Sequence, residues 1–446
     1  MKILCVSLGC DKNLVDSEMM LGLLRREGYT LTDDETEAEI IVVNTCAFID
    51  AAKEESINTI LDLASLKSEG CCRVLVVAGC MAERYKEEVL REIPEVDAIL
   101  GTNSCGEICS VIDRVLGGET KVTAFRKLED AAEESGERIL TTGGYYSFLK
   151  IAEGCNKRCT YCIIPYLRGP YRSVPIVKLL SEARQLAAQG VKELILVAQE
   201  TTLYGTDLTG KKMLPVLLRK LSEIEGIEWI RIQYCYPEEI DDELLEAIAT
   251  LPKVLHYIDL PIQHASDSIL RRMGRRTTQA EIRERIARIR ERIPDVCLRT
   301  TLISGFPGET EEDHEILLDF VNDMEFDRLG VFTYSQEEDT PAAEYPDQVP
   351  EELKEERRDE IMEMQQEIAF EKAASMVGTR LDVIIEGRIP EEGIYVGRTY
   401  MDAPNVDSQI YLRSDLDLIS GTIVHALVTD AVEYDLKGVI EDESAE

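Results

Sequence analysis

Hydrophobic and polar positions recur along this chain on two different periods, and the changes of period divide it into three regions. In the first, the runs KILCVSLGC (Lys2–Cys10), EIIVVNTCAF (Glu39–Phe48) and RVLVVAGC (Arg73–Cys80) are short, β-branched and apolar throughout. Such runs read as strands of a parallel sheet, buried on both faces. Helical spacing takes over between them, at Ser17–Glu27 and Asp50–Lys67. Strand and helix in alternation predict a doubly wound α/β domain over residues 1–125. The charged, Gly/Ser-punctuated stretch Lys127–Arg138 reads as a linker.

The second region, 141–375, opens with GGYYSF and continues the alternation. Strands are predicted at Tyr145–Glu153, Glu193–Ala198, Trp229–Tyr234, Tyr257–Leu260, Val296–Ser304 and Arg328–Thr333. Helices are predicted at Lys178–Gln189, Lys212–Glu225, Glu239–Thr250, Gln279–Arg292 and Glu311–Met324. This is the pattern of a partial (β/α)6 barrel of the TIM type, whose site belongs at the carboxyl ends of the strands. Gln336–Pro350 is rich in Pro and acids and reads as a surface connection to an amphipathic helix, Glu351–Met376. In the third region, 376–446, five short strands with turns between them predict a small closed antiparallel β-barrel of OB type.

Composition narrows the setting. The chain has 446 residues, and no apolar run approaches the roughly 20 residues of a membrane helix. MKILCVSLGC lacks the layout of a signal peptide. A cytoplasmic protein with no membrane partner is expected. Thirteen cysteines in that setting point to metal ligands, catalytic groups or core residues rather than disulfides. The net charge of −37 attracts basic proteins and repels phosphate backbones, although solubility alone also accounts for such a charge.

The chemistry concentrates in GCNKRCTYCIIP, Gly154–Pro165, where Cys155, Cys159 and Cys162 stand at spacing C-x3-C-x2-C with Tyr161 before the third. Three thiolates hold three irons of a cubane cluster and leave the fourth open to a small molecule. The alternatives are a zinc site, which wants four closed ligands, or buried structural thiols. A second set lies in the first region, where the predicted strands end at Cys10, Cys46 and Cys80. Loops at the carboxyl ends of a doubly wound sheet converge in space, so these thiols suit a second three-cysteine cluster. The plainer reading is three small residues at strand ends. Cys5, Cys235 and Cys297 fall inside strand patterns and read as core; Cys71, Cys72, Cys105 and Cys109 read as structural.

The Cys155–Cys162 motif resembles the signature of radical S-adenosylmethionine (SAM) enzymes. SLGC (Ser7–Cys10), NTCAF (Asn44–Phe48) and AGCMAERY (Ala78–Tyr85) resemble the N-terminal domain of one branch, the methylthiotransferases, and the tail resembles their TRAM domain, which often binds RNA. The resemblance implies two 4Fe–4S clusters, SAM bound at the open iron of the first, and sulfur carried at the second. It also implies a flavodoxin- or ferredoxin-type reductant. SAM contacts carried over by resemblance are Tyr161, Gln199, Glu200, Gln263, Arg299, Gly305, Gly308 and Glu309. Gln199 and Glu200 would meet its amino group, Arg299 a carboxylate, and the Gly305–Glu309 loop its adenine. His264 reads equally as a satisfied structural histidine. Beyond the cluster cysteines, no acid–base group is singled out as catalytic.

Substrate choice rests on the tail. From Ser375 onward, five Lys/Arg face fifteen Asp/Glu, a net of −10. An RNA-binding barrel is expected to be basic, so tRNA is disfavoured and a basic protein favoured. GRTYMDAPNVD, Gly397–Asp407, resembles the branch acting on small-subunit ribosomal protein twelve. There a 5′-deoxyadenosyl radical takes hydrogen from the β-carbon of an aspartate, which then receives the methylthio group. The alternatives are the tRNA-adenosine branch, which shares all six cysteines, and an iron–sulfur electron carrier without SAM chemistry.

Overall fold

The computed structural model describes residues 1–131, 138–390 and 392–441. Residues 132–137 of the expected linker lie outside them. Three sheets organise the chain. The first is six-stranded and wholly parallel, in the order Thr30–Leu31, Lys2–Ser7, Ile40–Thr45, Val74–Gly79, Ala98–Leu100, Val122–Ala124. Its two inner strands, Ile40–Thr45 and Val74–Gly79, are buried at every position, as unbroken apolar runs require. The three short strands lie outside the predicted set, because two or three residues carry too little periodicity to read.

The second sheet is an open parallel array of six strands. From one edge to the other they are Tyr146–Lys150, Glu193–Val197, Trp229–Ile232, Val254–Asp259, Cys297–Ser304 and Arg328–Thr333. Its convex face carries the helices over a large apolar core that includes Leu179, Leu217, Ile248, Ile286 and Phe320. Tyr146, Phe148, Ile195 and Val197 point the other way, and pack against Leu14 and Val15 of the helix Asp11–Arg26 in the first domain. That helix therefore closes part of the barrel's concave face.

The third sheet is a closed five-stranded barrel, as expected, but one of its pairs is parallel. Ile410–Arg413 lies beside Asp435–Ile440 in the same direction. The connection to Ile423–Val432 crosses over, which local strand patterning does not report. This barrel packs against Trp229, Leu255, Tyr257 and Cys297 of the central sheet. Glu193 fixes the joint: wholly buried, it accepts from Arg231 Nε and from Arg398 Nη2, each at 2.7 Å.

The end of the expected linker and the expected surface connection each place a buried charge at a seam between domains. Arg138, at the end of the expected linker, is 4 % exposed. Its guanidinium binds Glu18 of the first domain at 2.6 Å, Glu182 and the Phe148 carbonyl. In the expected surface connection, Glu337 is buried between Lys53 at 3.0 Å and Arg84 at 2.7 Å, both from the first domain. Seams made of ion pairs have the composition of a surface, so polarity alone misassigns them. No helix among the described residues is long and apolar enough to cross a membrane.

Glu193→Ala leaves two buried guanidiniums without their shared carboxylate. The expected loss is roughly 3–5 kcal/mol, read as a lower urea midpoint of the transition that reports the C-terminal barrel.

Candidate active site

The first thiol set forms at three adjacent strand ends. Cys10 caps the helix Asp11–Arg26, Cys46 follows Ile40–Thr45, and Cys80 opens a short helix after Val74–Gly79. Gly9 lets two of them meet. Its φ is +86°, and a Cβ there would lie 2.6 Å from Cys46 Cβ and 3.0 Å from its Sγ. Buried polar side chains lock the loops. Asn13 Nδ2 donates to the Leu8 carbonyl at 2.8 Å and the Thr45 carbonyl at 2.9 Å. Asn44 Nδ2 donates to the Asn13 carbonyl at 2.8 Å, and Ser56 brackets the Cys46 backbone. Burial raises the thiol pKa of Cys46 and pushes Cys80 up to about 12. Protonated thiols in a closed pocket suit a metal that displaces the protons on binding.

Cys80 has a partner from another domain. Arg168, 2 % exposed, follows the Cys155–Cys162 loop on the helix Ile164–Arg168. Its Nη2 reaches Cys80 Sγ at 3.7 Å and also Asn13. Its Nη1 binds Asp16 at 2.8 Å and Glu153 at 3.1 Å. Lys150 completes the cluster with Glu153 at 2.8 Å and with Asp16. Opposite charges hold the Arg168 guanidinium well above its ordinary pKa despite burial.

The second set, Cys155, Cys159 and Cys162, lies beyond the first barrel strand. Burial pushes the Cys155 thiol up to about 11 and raises Cys162 further. Cys159 Sγ stands 3.9 Å from Tyr236 Oη. Tyr161 packs edge-on to Phe306, with centroids 6.4 Å apart. Arg275, 7 % exposed, stacks on Tyr236 at 4.3 Å with its Nε and Nη1 unpartnered. Neither Tyr236 nor Arg275 was singled out beforehand. Tyr236 follows the third barrel strand, Trp229–Ile232, where a site residue is to be expected, whereas Arg275 carries no local signal.

The remaining expected contacts divide. Gln199 and Glu200 lie by the cysteine loop. Gln199 Nε2 donates to Glu153 at 2.8 Å and its Oε1 is buried and unpartnered. Glu200 is wholly buried and accepts from the Thr202 amide at 3.0 Å, while its Oε2 has no partner. Desolvation pushes its carboxyl up to about 8. A buried carboxyl near Cys155 with one oxygen unpartnered fits an incoming ammonium group, whose charge would favour its ionised form. Gln263 sits at a strand end with φ 72°, bridged to Leu302.

Four others are engaged within the protein. Arg299 binds Asp259 at 3.2 Å and Asp407 of the C-terminal barrel at 3.5 Å. Glu309 accepts the amides of Gly305 and Phe306 and pairs with Arg357 at 3.0 Å. A Cβ on Gly305 would meet Lys354 at 2.2 Å, and one on Gly308 would meet the Arg272 guanidinium at 2.7 Å. These glycines accommodate protein side chains. His264 is wholly buried and accepts from the Ser266 amide at 3.0 Å, while its Nε2 lies 3.4 Å from Glu309 without a hydrogen bond. Cys235 and Cys297 are core, each 1 % exposed.

Among the described residues, no three His, Cys, Asp or Glu side chains close around a single ion. In a cubane cluster each thiolate binds a different iron, a wider arrangement than a one-ion site.

Three family models match: Uncharacterized protein family UPF0004 over residues 2–101, the Radical SAM superfamily over 149–321, and the TRAM domain over 377–440. A relative from Lachnoclostridium phytofermentans, named ribosomal protein uS12 methylthiotransferase RimO, is 62 % identical over 99 % of this chain and 100 % of its own. One of the same name from Geobacter sulfurreducens is 49 % identical over 98 % of both chains. Among solved structures, the radical SAM methyltransferase TsrM from Kitasatospora setae aligns with a TM-score of 0.56 and 14 % identity, covering 85 % of this chain and 77 % of that one. OxsB, a cobalamin-dependent SAM radical enzyme, aligns at 0.52 over 82 % of this chain and 56 % of its own. At that identity the likeness is one of fold.

The raised carboxyl of Glu200 has a consequence for stability. Its contribution is fully present below the unfolded glutamate pKa, near 4.5, and is lost as pH rises to about 8. Glu200→Gln is therefore expected to flatten the pH dependence of apoprotein stability between pH 5 and 8, measured by urea unfolding. An unchanged slope contradicts the assignment.

Proposed function

Because the chain belongs to the RimO family of radical SAM methylthiotransferases, we propose that it adds a methylthio group to the β-carbon of an aspartate in ribosomal protein uS12. The observation that carries this reading is the pair of thiol sets at strand carboxyl ends, one in each α/β domain, linked through Arg168. An unactivated C–H bond is beyond ordinary acid–base groups and calls for cofactor chemistry. Bound clusters and SAM would supply one-electron reduction at one site and sulfur at the other.

The residues divide that work. Cys155, Cys159 and Cys162 would hold the SAM-cleaving cluster; Cys10, Cys46 and Cys80 would hold the auxiliary one. The free Oε2 of Glu200 and Oε1 of Gln199 suit the amino group of SAM. The paired guanidinium of Arg299 and the filled Gly305–Glu309 loop support a positioning role for those residues over direct contact. Helix Asp11–Arg26 and the loop at Glu337 hold the first domain against the barrel. A flavodoxin- or ferredoxin-type protein would deliver the electron, and the setting would be the cytoplasm.

The substrate preference follows from charge. In the C-terminal barrel, the loop Ser414–Ser420 presents exposed Asp415 and Asp417 beside exposed Leu416 and Ile419. Such a surface suits a basic polypeptide better than a phosphate backbone. The Gly397–Asp407 stretch serves differently. Asp402 binds Arg328 at 2.6 Å and Asp407 binds Arg299, so these acids join domains.

In reconstituted enzyme under anaerobic reducing conditions, Cys159→Ala is expected to abolish 5′-deoxyadenosine formation, followed by chromatography. Cys46→Ala is expected to keep that cleavage but give no methylthio product by mass spectrometry. Product from Cys46→Ala removes the auxiliary site from sulfur transfer. The double change Asp415→Lys with Asp417→Lys is expected to weaken uS12 binding by roughly three- to tenfold, more at low salt. Unchanged affinity at low salt leaves this loop to solubility alone.

A further inference from the structure

Lys12 is a buried cation that the sites above leave unused. It lies two residues beyond Cys10, in the first turn of helix Asp11–Arg26, and is 6 % exposed. Its Nζ stands 3.5 Å from the ring centroid of Tyr234. Tyr234 lies just past the third barrel strand, Trp229–Ile232, with φ 59°. Lys12 therefore occupies the seam between the auxiliary thiols and the barrel mouth.

No carboxylate pairs with Lys12 among the described residues. Lys354, the other buried lysine, holds Glu351 at 2.9 Å and the Tyr334 carbonyl at 2.8 Å. The acids around Lys12 are committed elsewhere. Asp11 accepts from Tyr234 Oη at 3.4 Å. Asp259 accepts the Tyr234 amide at 3.0 Å and pairs with Arg299 at 3.2 Å. Tyr234, Cys10 and Asp11 favour the ammonium through space, but none forms an ion pair with it, so its donors are left for an incoming anion.

We propose that Lys12 receives the side-chain carboxylate of the substrate aspartate and so selects that residue for reaction. The reacting β-carbon is bonded directly to that carboxylate. Anchoring the carboxylate at Lys12 holds the β-carbon beside Cys10, on the barrel side of the auxiliary thiols. A charge-assisted contact of this kind gives orientation as well as affinity. It also discriminates: an asparagine or a nucleobase leaves the ammonium unpaired. This inference rests on the proposed reading that an aspartate of uS12 is the substrate.

The test uses cluster-loaded full-length enzyme and two substrates, uS12 with its target aspartate and uS12 with asparagine there, binding being measured by fluorescence anisotropy. Lys12→Met is expected to weaken binding of the aspartate form by roughly tenfold or more and to alter the asparagine form by less than about twofold, since no charge pair is lost there. Lys12→Arg is expected to restore most of the lost affinity. Should Lys12→Met lack wild-type iron content or a cooperative melt, Lys12→Gln takes its place. Equal loss on both substrates, or no loss on the aspartate form, overturns the role of Lys12. Wild-type enzyme that binds tRNA and ignores uS12 overturns the functional reading instead.

Discussion

One buried guanidinium joins the two halves of the chemistry. Arg168 leaves the Cys155–Cys162 loop, crosses into the first domain and ends among Asp16, Asn13 and Cys80. Glu153, two residues before Cys155, grips it from behind. Every group in this cluster adjoins one thiol set or the other. Removing such a buried charge leaves its partners uncompensated, at a cost of roughly 3–5 kcal/mol. Its larger consequence is geometric: it ties the Cys80 strand end to the helix that follows Cys162.

The remaining architecture follows from where parallel sheets leave their loops. Both α/β domains present cysteines at strand carboxyl ends, and the helix after Cys10 lies against the inner face of the barrel. The C-terminal barrel closes the opposite side, fixed by Glu193 and by Arg299 with Asp407. Three domains thus meet around the two thiol sets, with Lys12 and Tyr234 at the seam between the first domain and the barrel.

Much of this was legible before any coordinates. Cys155, Cys159 and Cys162 announce themselves because a local spacing encodes a local loop. Cys10, Cys46 and Cys80 were readable because strand patterning shows where each strand ends, and topology brings those ends together. The burial of Glu337 was not legible, since a charged stretch looks the same whether it faces water or an opposing charge. Arg299 was visible as a cation in an apolar strand, but its partner Asp407 belongs to a different domain. Lys12 stood in plain view beside Cys10; what marks it, the lack of a carboxylate partner, exists only in three dimensions.

The most direct measurement of the central claim is a competition. Enzyme with both clusters reconstituted is given SAM, a reductant, sulfide, and equal amounts of uS12 and unmodified tRNA, and both are analysed by mass spectrometry. The account predicts a methylthio group on an aspartate of uS12 and none on the tRNA. A methylthio group on the tRNA with uS12 unchanged would contradict it.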